Sequence, residues 1–185
     1  MNPHSRIRHG LLAFVWGVSE AIVFFVVPDV LITRAALGSL RSGLRTAAFA
    51  LAGALLGGMF SYWWGATDLD GARRVLDWLP AISIGMLDRA QHTLATDGML
   101  AALVGSFSGV PYKVFAVHAA GANIPLVVFV LASIPVRGIR FVALALITRA
   151  LTRYAVPGWT PQCLHQIWAA AWIVNYAIYW SLMPN

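Results

Sequence analysis

Long apolar stretches separated by short polar ones dominate the pattern along the chain. The first apolar stretch covers residues 11–37, a clear span follows at 47–66, and apolar character returns at Met99 and continues to Ile134. Two further apolar segments run from Arg137 to about Leu151 and from about Leu164 to Leu182. Because a helix needs about 20 apolar residues to cross a bilayer, the pattern predicts an all-α bundle of roughly five or six membrane-entering segments.

One polar region, residues 66–97, separates the two halves of this pattern. Its acidic and basic residues alternate with apolar ones at roughly helical spacing, and Pro80 lies in the middle. This pattern is typical of an amphipathic helix lying at a membrane interface. We therefore expect an interfacial helix that is broken at Pro80.

Proline and charge also fall inside two of the apolar stretches, at Pro28-Asp29 and at Pro111 with Lys113. Broken backbone at membrane depth is tolerated only where it is buried in protein or lines a wet cavity. The pattern predicts two re-entrant hairpins, each followed by an uninterrupted span, in the inverted-repeat arrangement of many transporters. Two ordinary proline-kinked spanning helices are the alternative.

Composition supports a membrane setting, since 59% of the residues are hydrophobic and only 11% are charged, against about 25% charged in a soluble domain. We expect an integral membrane protein with one polytopic domain over residues 1–185, a core at about 11–153 and a C-terminal transmembrane helix at about 164–183. The net charge of +6 matches lipid headgroups better than nucleic acid, because no basic run with interleaved aromatic residues occurs. Five scattered histidines and the single Cys163 predict no metal and no cofactor.

Five charged residues are the candidate functional groups. Glu20 and Asp29 lie in an apolar stretch, where a carboxylate is costly unless it faces water, a cation or a substrate. An ionised acid repels an anionic headgroup, so we expect these two to serve in proton coupling, with a role as counter-charges as the alternative. Lys113, Arg137 and Arg140 are the candidate ligands of a phosphate headgroup, and the two arginines share a helix face at their spacing of three. Both arginines could instead reach the headgroups at the end of the span, or pair with the two acids as a structural ion network.

Other patterns have simpler interpretations. Gly53, Gly57, Ser61 and Gly65 recur every four residues and indicate a smooth face for close helix packing. His118 is a candidate for a proton relay, although a single histidine on an apolar helix more often packs and hydrogen-bonds. The basic residues before and after the first apolar stretch would face the cytoplasm if that stretch is a hairpin; they are Arg6, Arg8, Arg34, Arg41 and Arg45.

Four motifs follow one another in a recognisable order: Glu20 with Pro28-Asp29, AGALLGGMFSYWWG at residues 52–65, GVPYKVF at 109–115 with Ala120-Gly121, and RGIRF at 137–141. Together they resemble the DedA superfamily, also described through the VTT domain or SNARE-associated Golgi protein domain, and especially its small YqaA-like branch. The resemblance covers residue 20 to about residue 151, and it makes the core at about 11–153 VTT-like.

This resemblance implies two facing re-entrant hairpins and a transporter that moves lipid, undecaprenyl phosphate or phospholipid, between leaflets of the bacterial cytoplasmic (inner) membrane. The two embedded acids make protons the coupling ion that we expect. The family's paired acids match Glu20 and Asp29. Its arginines do not match, since Ser108 and Val114 stand near those positions, with Lys113 one place earlier. A homo-oligomer is compatible with this sequence.

Two other functions compete with a lipid transporter. A non-transporting assembly or homeostasis factor would use the same charges only to hold the bundle together. An intramembrane lipid-modifying enzyme is disfavoured, because residues 105–109, Gly-Ser-Phe-Ser-Gly, place Phe107 where a G-x-S-x-G motif has its nucleophile. We therefore expect a protein that is not an enzyme.

Overall fold

A computed structural model of the chain describes residues 3–182, apart from the side chains of residues 3–7, 103, 106 and 107. Residues 3–182 form helices joined by short connections and contain no strand. The all-α prediction is therefore confirmed. The side chains of Arg6 and Phe107, both named above, lie outside the described part, as does that of Ser106.

The first half contains a broken helix followed by a long one. Helix α1 spans Pro3–Ile22, α2 spans Asp29–Gly38 and α3 spans Leu40–Thr67. Ser39 separates α2 from α3, and its side chain accepts a hydrogen bond from the backbone N–H of Ser42. This cap lets α3 begin seven residues before the predicted start at residue 47, because it satisfies a backbone donor of the first turn.

The polar region forms two short helices, as its pattern predicts. Helix α4 spans Leu69–Asp77 and α5 spans Ile84–Asp97, with Pro80 in the turn between them. Asp68 caps α4 by accepting from the N–H of Gly71 at 2.8 Å, and Ser83 caps α5. The side chains of Leu76 in α4 and of Leu87 and Leu94 in α5 are fully buried, so the apolar faces of these two helices pack on the bundle.

The second half repeats the order of a broken helix and a long helix. Helix α6 spans Met99–Ser108, α7 spans Tyr112–His118 and α8 spans Leu126–Ala150, which continues as a π-helical turn over Leu151–Ala155. Helix α9 spans Pro161–Leu182.

Helix α8 differs from the predicted span, which started at Arg137. The helix begins at Leu126 and contains Pro135 in its interior. A proline within such a helix is tolerated where neighbouring helices and hydroxyl side chains compensate for the lost hydrogen bond. As a result, Arg137 and Arg140 lie in the middle of α8 and not at its end.

Helix α3 is the centre of the bundle and packs against α1, α2, α7 and α8. A Cβ added at Gly53 or Gly57 would collide with backbone atoms of α1, and one at Gly65 would collide with the carbonyl of Val117 in α7. The Ser61 hydroxyl donates to the Ala21 carbonyl at 2.8 Å. The small-residue stripe therefore serves close helix packing, as its spacing indicates.

Two helices in the described part of the chain are long and apolar enough to cross a membrane, Leu40–Thr67 and Leu126–Ala155. These are α3 and α8 with its π-helical extension. Helix α9 is present where a C-terminal transmembrane helix was predicted, and its crossing of a membrane stays a prediction.

Candidate functional site

A cavity of about 270 Å³ lies where the two helix breaks approach each other. Its wall combines the end of α1, the α1–α2 break, the start of α2, the α6–α7 break, the middle of α8 and one face of α9. Residues of the α4–α5 turn complete it. The charged residues in the wall are the five candidates from the sequence: Glu20, Asp29, Lys113, Arg137 and Arg140.

The first break spans residues 23–28 and positions the two acids. Helix α1 ends after Ile22, and the indole N–H of Trp16 donates to the carbonyl of Val26 at 2.8 Å, which fastens the break to the preceding helix. Glu20 lies in the last turn of α1 and Asp29 is the first residue of α2. A carboxylate in the first turn of a helix is favoured by the helix dipole.

The second break spans residues 109–111 and positions Lys113. Gly109 has a φ of 89°, a left-handed conformation that glycine adopts without steric cost, and it ends α6. Pro111 then precedes α7, where the missing N–H of proline costs no helical hydrogen bond. The hydroxyl of Tyr112 donates to Ser133 of α8 at 2.8 Å, which fixes the start of α7 beside the arginines.

Two ion pairs join α8 to the first break. Arg137 donates to Glu20, and the side chains of both residues are almost completely buried, 3% and 5% exposed. Arg140 lies 3.3 Å from Asp29, measured from Nε to Oδ2, and its side chain is 25% exposed. The two arginines thus contact different carboxylates.

Lys113 differs from the two arginines. It is 3% exposed, and its Nζ donates to the backbone carbonyl of Phe24 at 2.6 Å. No carboxylate among the described residues lies within ion-pair distance of this ammonium group. The buried cation is therefore held by a neutral partner in the wall of the cavity.

Aromatic rings fix the guanidinium groups. The guanidinium carbon of Arg137 lies 4.7 Å from the ring centre of Tyr112 and 5.1 Å from that of Phe141, and Arg140 also faces Phe141. Two buried polar atoms of the site, Asp29 Oδ1 and Arg137 Nε, have no hydrogen-bond partner among the described residues, whereas Arg140 Nε faces Asp29 Oδ2 in the ion pair. Because buried polar atoms are normally satisfied, these two atoms are where a polar ligand could bind.

The structure thus gathers all five predicted residues in one place, although they come from four separate segments. It also decides between the interpretations of Arg137. A guanidinium that is 3% exposed and paired with Glu20 does not reach out to headgroups, so the ion-network alternative describes the geometry, while the roles in substrate binding and proton coupling stay predictions.

His118 and Ser108 lie apart from these five residues. His118 Nδ1 is 2.7 Å from the Val114 carbonyl and Nε2 is 3.2 Å from Arg73. The histidine is 1% exposed and outside the cavity wall, which agrees with a packed histidine. The Ser108 hydroxyl donates to the Gly105 carbonyl at 3.4 Å.

Sequence reasoning missed the contribution of α9. Trp172, Asn175, Tyr176 and Tyr179 line the cavity, and the backbone N–H of Val27 donates to the Tyr176 hydroxyl at 3.0 Å. The spacing of Trp168, Trp172 and Tyr176 at four-residue intervals was a visible signal of one aromatic face. Thr33, which the sequence did not single out, accepts from both indoles.

A second, larger depression of about 470 Å³ lies beside α3 and α4, where Trp64, Asp68, Arg74 and Trp78 line it. It is open, and Trp78 there is 85% exposed. We place the functional site in the smaller cavity, because buried charges and both helix breaks meet there.

Comparison of the chain with protein-family models, with curated proteins and with solved structures finds no match. The cavity and its charges therefore carry the functional interpretation.

Proposed function

We propose that the chain is an integral membrane protein that moves an anionic lipid between the two leaflets of a bilayer. Large apolar side chains on several helices are exposed, which a soluble monomer rarely tolerates over extended patches. Examples are Leu11, Trp63, Leu100, Val127, Leu131 and Ile173. A hydrocarbon environment would satisfy this surface, and α3 and α8 have the length and composition to cross it.

The two helix breaks are the tips of re-entrant hairpins in this proposal. The order of broken helix and long helix occurs twice, as α1–α2–α3 and as α6–α7–α8. The breaks line one cavity between the two halves. Transporters with inverted repeats place their sites at such a junction of discontinuous helices.

The net positive charge of the cavity supports an anionic substrate. Three cations and two carboxylates line it, so one positive charge remains in excess when all five groups are ionised. Lys113 supplies that excess, because its hydrogen-bond partner is the neutral carbonyl of Phe24. A phosphate group entering the cavity would give this buried ammonium group its counterion, as a charge-assisted hydrogen bond.

The pairing of the two acids with arginines supports proton coupling. Protonation of Glu20 removes the negative charge that holds Arg137, and protonation of Asp29 does the same for Arg140. Each guanidinium can then turn its donors to a phosphate oxygen. Loss of the proton restores the ion pair and displaces the phosphate, which resets the site.

The substrate class is a lipid with a phosphate headgroup, undecaprenyl phosphate or a phospholipid. The motif order described above, similar to that of the DedA superfamily, supports this class and a place in the bacterial cytoplasmic membrane. The absence of the family's arginines near Ser108 and Val114 makes Lys113 the cation that this chain would use in their place.

Lipid movement in liposomes tests this function. Purified protein is reconstituted with undecaprenyl phosphate or with common phospholipids, and leaflet-to-leaflet movement is followed with and without a pH gradient. We expect movement by the unaltered chain, and its loss in Glu20→Gln and Lys113→Met protein that is shown to be folded. Asp88→Asn is the matched control, because Asp88 pairs with Arg73 outside the cavity and its side chain is 60% exposed.

The outcomes separate the competing functions. Movement of one lipid class that requires Glu20 and Lys113 would identify the substrate. Folded protein that moves neither class would contradict the proposal and favour an assembly factor. Chemical alteration of the lipid, abolished by Ser108→Ala, would indicate an enzyme instead.

A further inference from the structure

Helix α9 forms one wall of the cavity without belonging to the core of the bundle. None of its described residues is buried, and it packs mainly against α2. Its half-buried aromatic residues, Trp168, Trp172, Tyr176 and Tyr179, recur at intervals of four, four and three residues along one face. The last three of these line the cavity. Of the other helices that line the cavity, α1, α2, α7 and α8 pack around α3.

Three hydrogen bonds attach α9 to the first hairpin. The indole N–H groups of Trp168 and Trp172 donate to the Thr33 hydroxyl at 2.9 and 3.0 Å. The backbone N–H of Val27 donates to the Tyr176 hydroxyl at 3.0 Å. Two ring contacts accompany these bonds, one between Phe25 and Trp180 at 5.2 Å and one between Arg34 and Trp168 at 5.9 Å. Because no described residue of α9 is buried, α9 is expected to open before the core of the bundle does.

Thr33 is the central residue of this attachment. Its hydroxyl donates to the carbonyl of Asp29 at 2.7 Å while it accepts from both indoles. A hydroxyl has one proton to donate and two lone pairs, so its capacity is fully used. The same oxygen thereby links α9 to the turn that carries Asp29, the partner of Arg140.

A substrate with a long hydrocarbon chain needs a sideways opening, because its headgroup lies in the cavity while its chain stays among the lipids. Residues 156–160, which contain Pro157 and Gly158, connect α9 to α8, and all but the half-buried Val156 are exposed. Helix α9 can therefore move away from α2 without disturbing the packing around α3.

We infer that α9 is a lateral gate of the cavity, closed by the hydrogen bonds of Trp168 and Trp172 to Thr33 and opened by a single-chain phosphate amphiphile. This inference rests on the proposed function, since it takes an anionic lipid as the ligand. Thr33 is a positioning residue in it, because Thr33 acts by holding α9.

Distance measurements between α9 and α3 test the gate without any transport step. Spin labels are placed at Leu56→Cys and Ile173→Cys, which are exposed positions on the two helices, in a Cys163→Ser background in lipid nanodiscs. Double electron–electron resonance then compares the protein alone, with inorganic phosphate and with dodecyl phosphate. We expect a second population at longer distance with dodecyl phosphate only.

Substitutions of the attachment provide the internal control. Thr33→Val keeps the shape of the side chain and removes the acceptor, so we expect the longer-distance population without ligand. Thr33→Ser retains the hydroxyl and should keep the distance of the unaltered chain. Tyr176→Phe, which removes one hydroxyl, should shift the populations in the same direction as Thr33→Val and serves if that variant does not fold.

One unchanged, narrow distance distribution in Thr33→Val, in Tyr176→Phe and with dodecyl phosphate would overturn the gate. If lipid still moved between leaflets in that case, the proposed function would stand and the gate alone would be wrong. If α9 opened as expected and no lipid moved, the gate would stand and lipid transport would be wrong.

Discussion

At the scale of single residues, Glu20 and Arg137 act as one unit, because their side chains pair with each other and are only 5% and 3% exposed. Removing one member leaves the other buried without a counterion, which costs about 3–5 kcal/mol, whereas replacing both together costs far less. We predict that Glu20→Gln and Arg137→Gln each lower the free energy of unfolding strongly. The double variant should recover much of the loss, as measured by a double-mutant cycle in detergent.

The Arg73–Asp88 ion pair is more exposed than the Glu20–Arg137 pair and serves as its comparison. The Asp88 side chain is 60% exposed, and exposed ion pairs contribute about 0–1 kcal/mol. Asp88→Asn should therefore leave stability nearly unchanged. Additive losses in the Glu20 and Arg137 variants would show that the buried pair is not coupled, and they would remove the basis for exchanging a carboxylate for a phosphate.

Sequence patterns located these residues but not their partners. A carboxylate in an apolar run and a lysine after a proline are visible locally, whereas Glu20 and Arg137 are 117 residues apart. Pairing with the acids was one of two alternatives to ligand binding at Arg137, and only the fold selects it. The sequence also could not predict that Lys113 donates to the carbonyl of Phe24, because every residue has a backbone carbonyl.

At the scale of elements, the close contact between α3 and α7 holds Lys113 in its place in the site. A Cβ at Gly65 would overlap backbone atoms of Val117, so α7 and the Lys113 that it carries depend on a glycine at this point. Overpacking of this kind costs about 1–3 kcal/mol. We predict that Gly65→Ala lowers the thermal unfolding temperature and weakens binding of dodecyl phosphate.

Gly138→Ala is the matched control for this contact. In α8 an added Cβ would lie 3.6 Å from Leu51, an ordinary van der Waals distance. Alanine is favoured over glycine within a helix by about 1 kcal/mol, so this variant should be as stable as the unaltered chain or more so. Equal behaviour of the two variants would contradict a special role for the α3–α7 contact.

The elements themselves were partly readable from the sequence. Capping residues and Pro80 act locally, and the polar region therefore folded as its pattern indicated. The predicted start of a span at Arg137 was wrong. A proline such as Pro135 ends a helix only when nothing compensates for its missing N–H, and the surroundings of α8 are set by the whole bundle. The aromatic face of α9 was visible, but its place beside Thr33 depends on packing between residues more than 130 positions apart.

At the scale of the whole molecule, the membrane topology distinguishes a re-entrant hairpin from a kinked spanning helix at α1–α2. If α1 and α2 form a re-entrant hairpin, residues before α1 and after α2 lie on one side of the membrane, and the end of α3 lies on the other. A kinked spanning helix would instead place the two flanks of α1–α2 on opposite sides. Basic residues concentrate on the cytoplasmic side, and the exposed Arg8 and Arg41 flank the hairpin.

We predict that Arg8→Cys and Arg41→Cys, each in a Cys163→Ser background, react with a membrane-impermeant thiol reagent in inverted vesicles and not in intact cells. Trp78→Cys, at a site 85% exposed beyond the end of α3, should react from the opposite side. Labelling of Arg8→Cys and Arg41→Cys from different sides would exclude the hairpin. The cavity would then lie between kinked spans, and alternating access would need a motion other than the exchange of two facing hairpins.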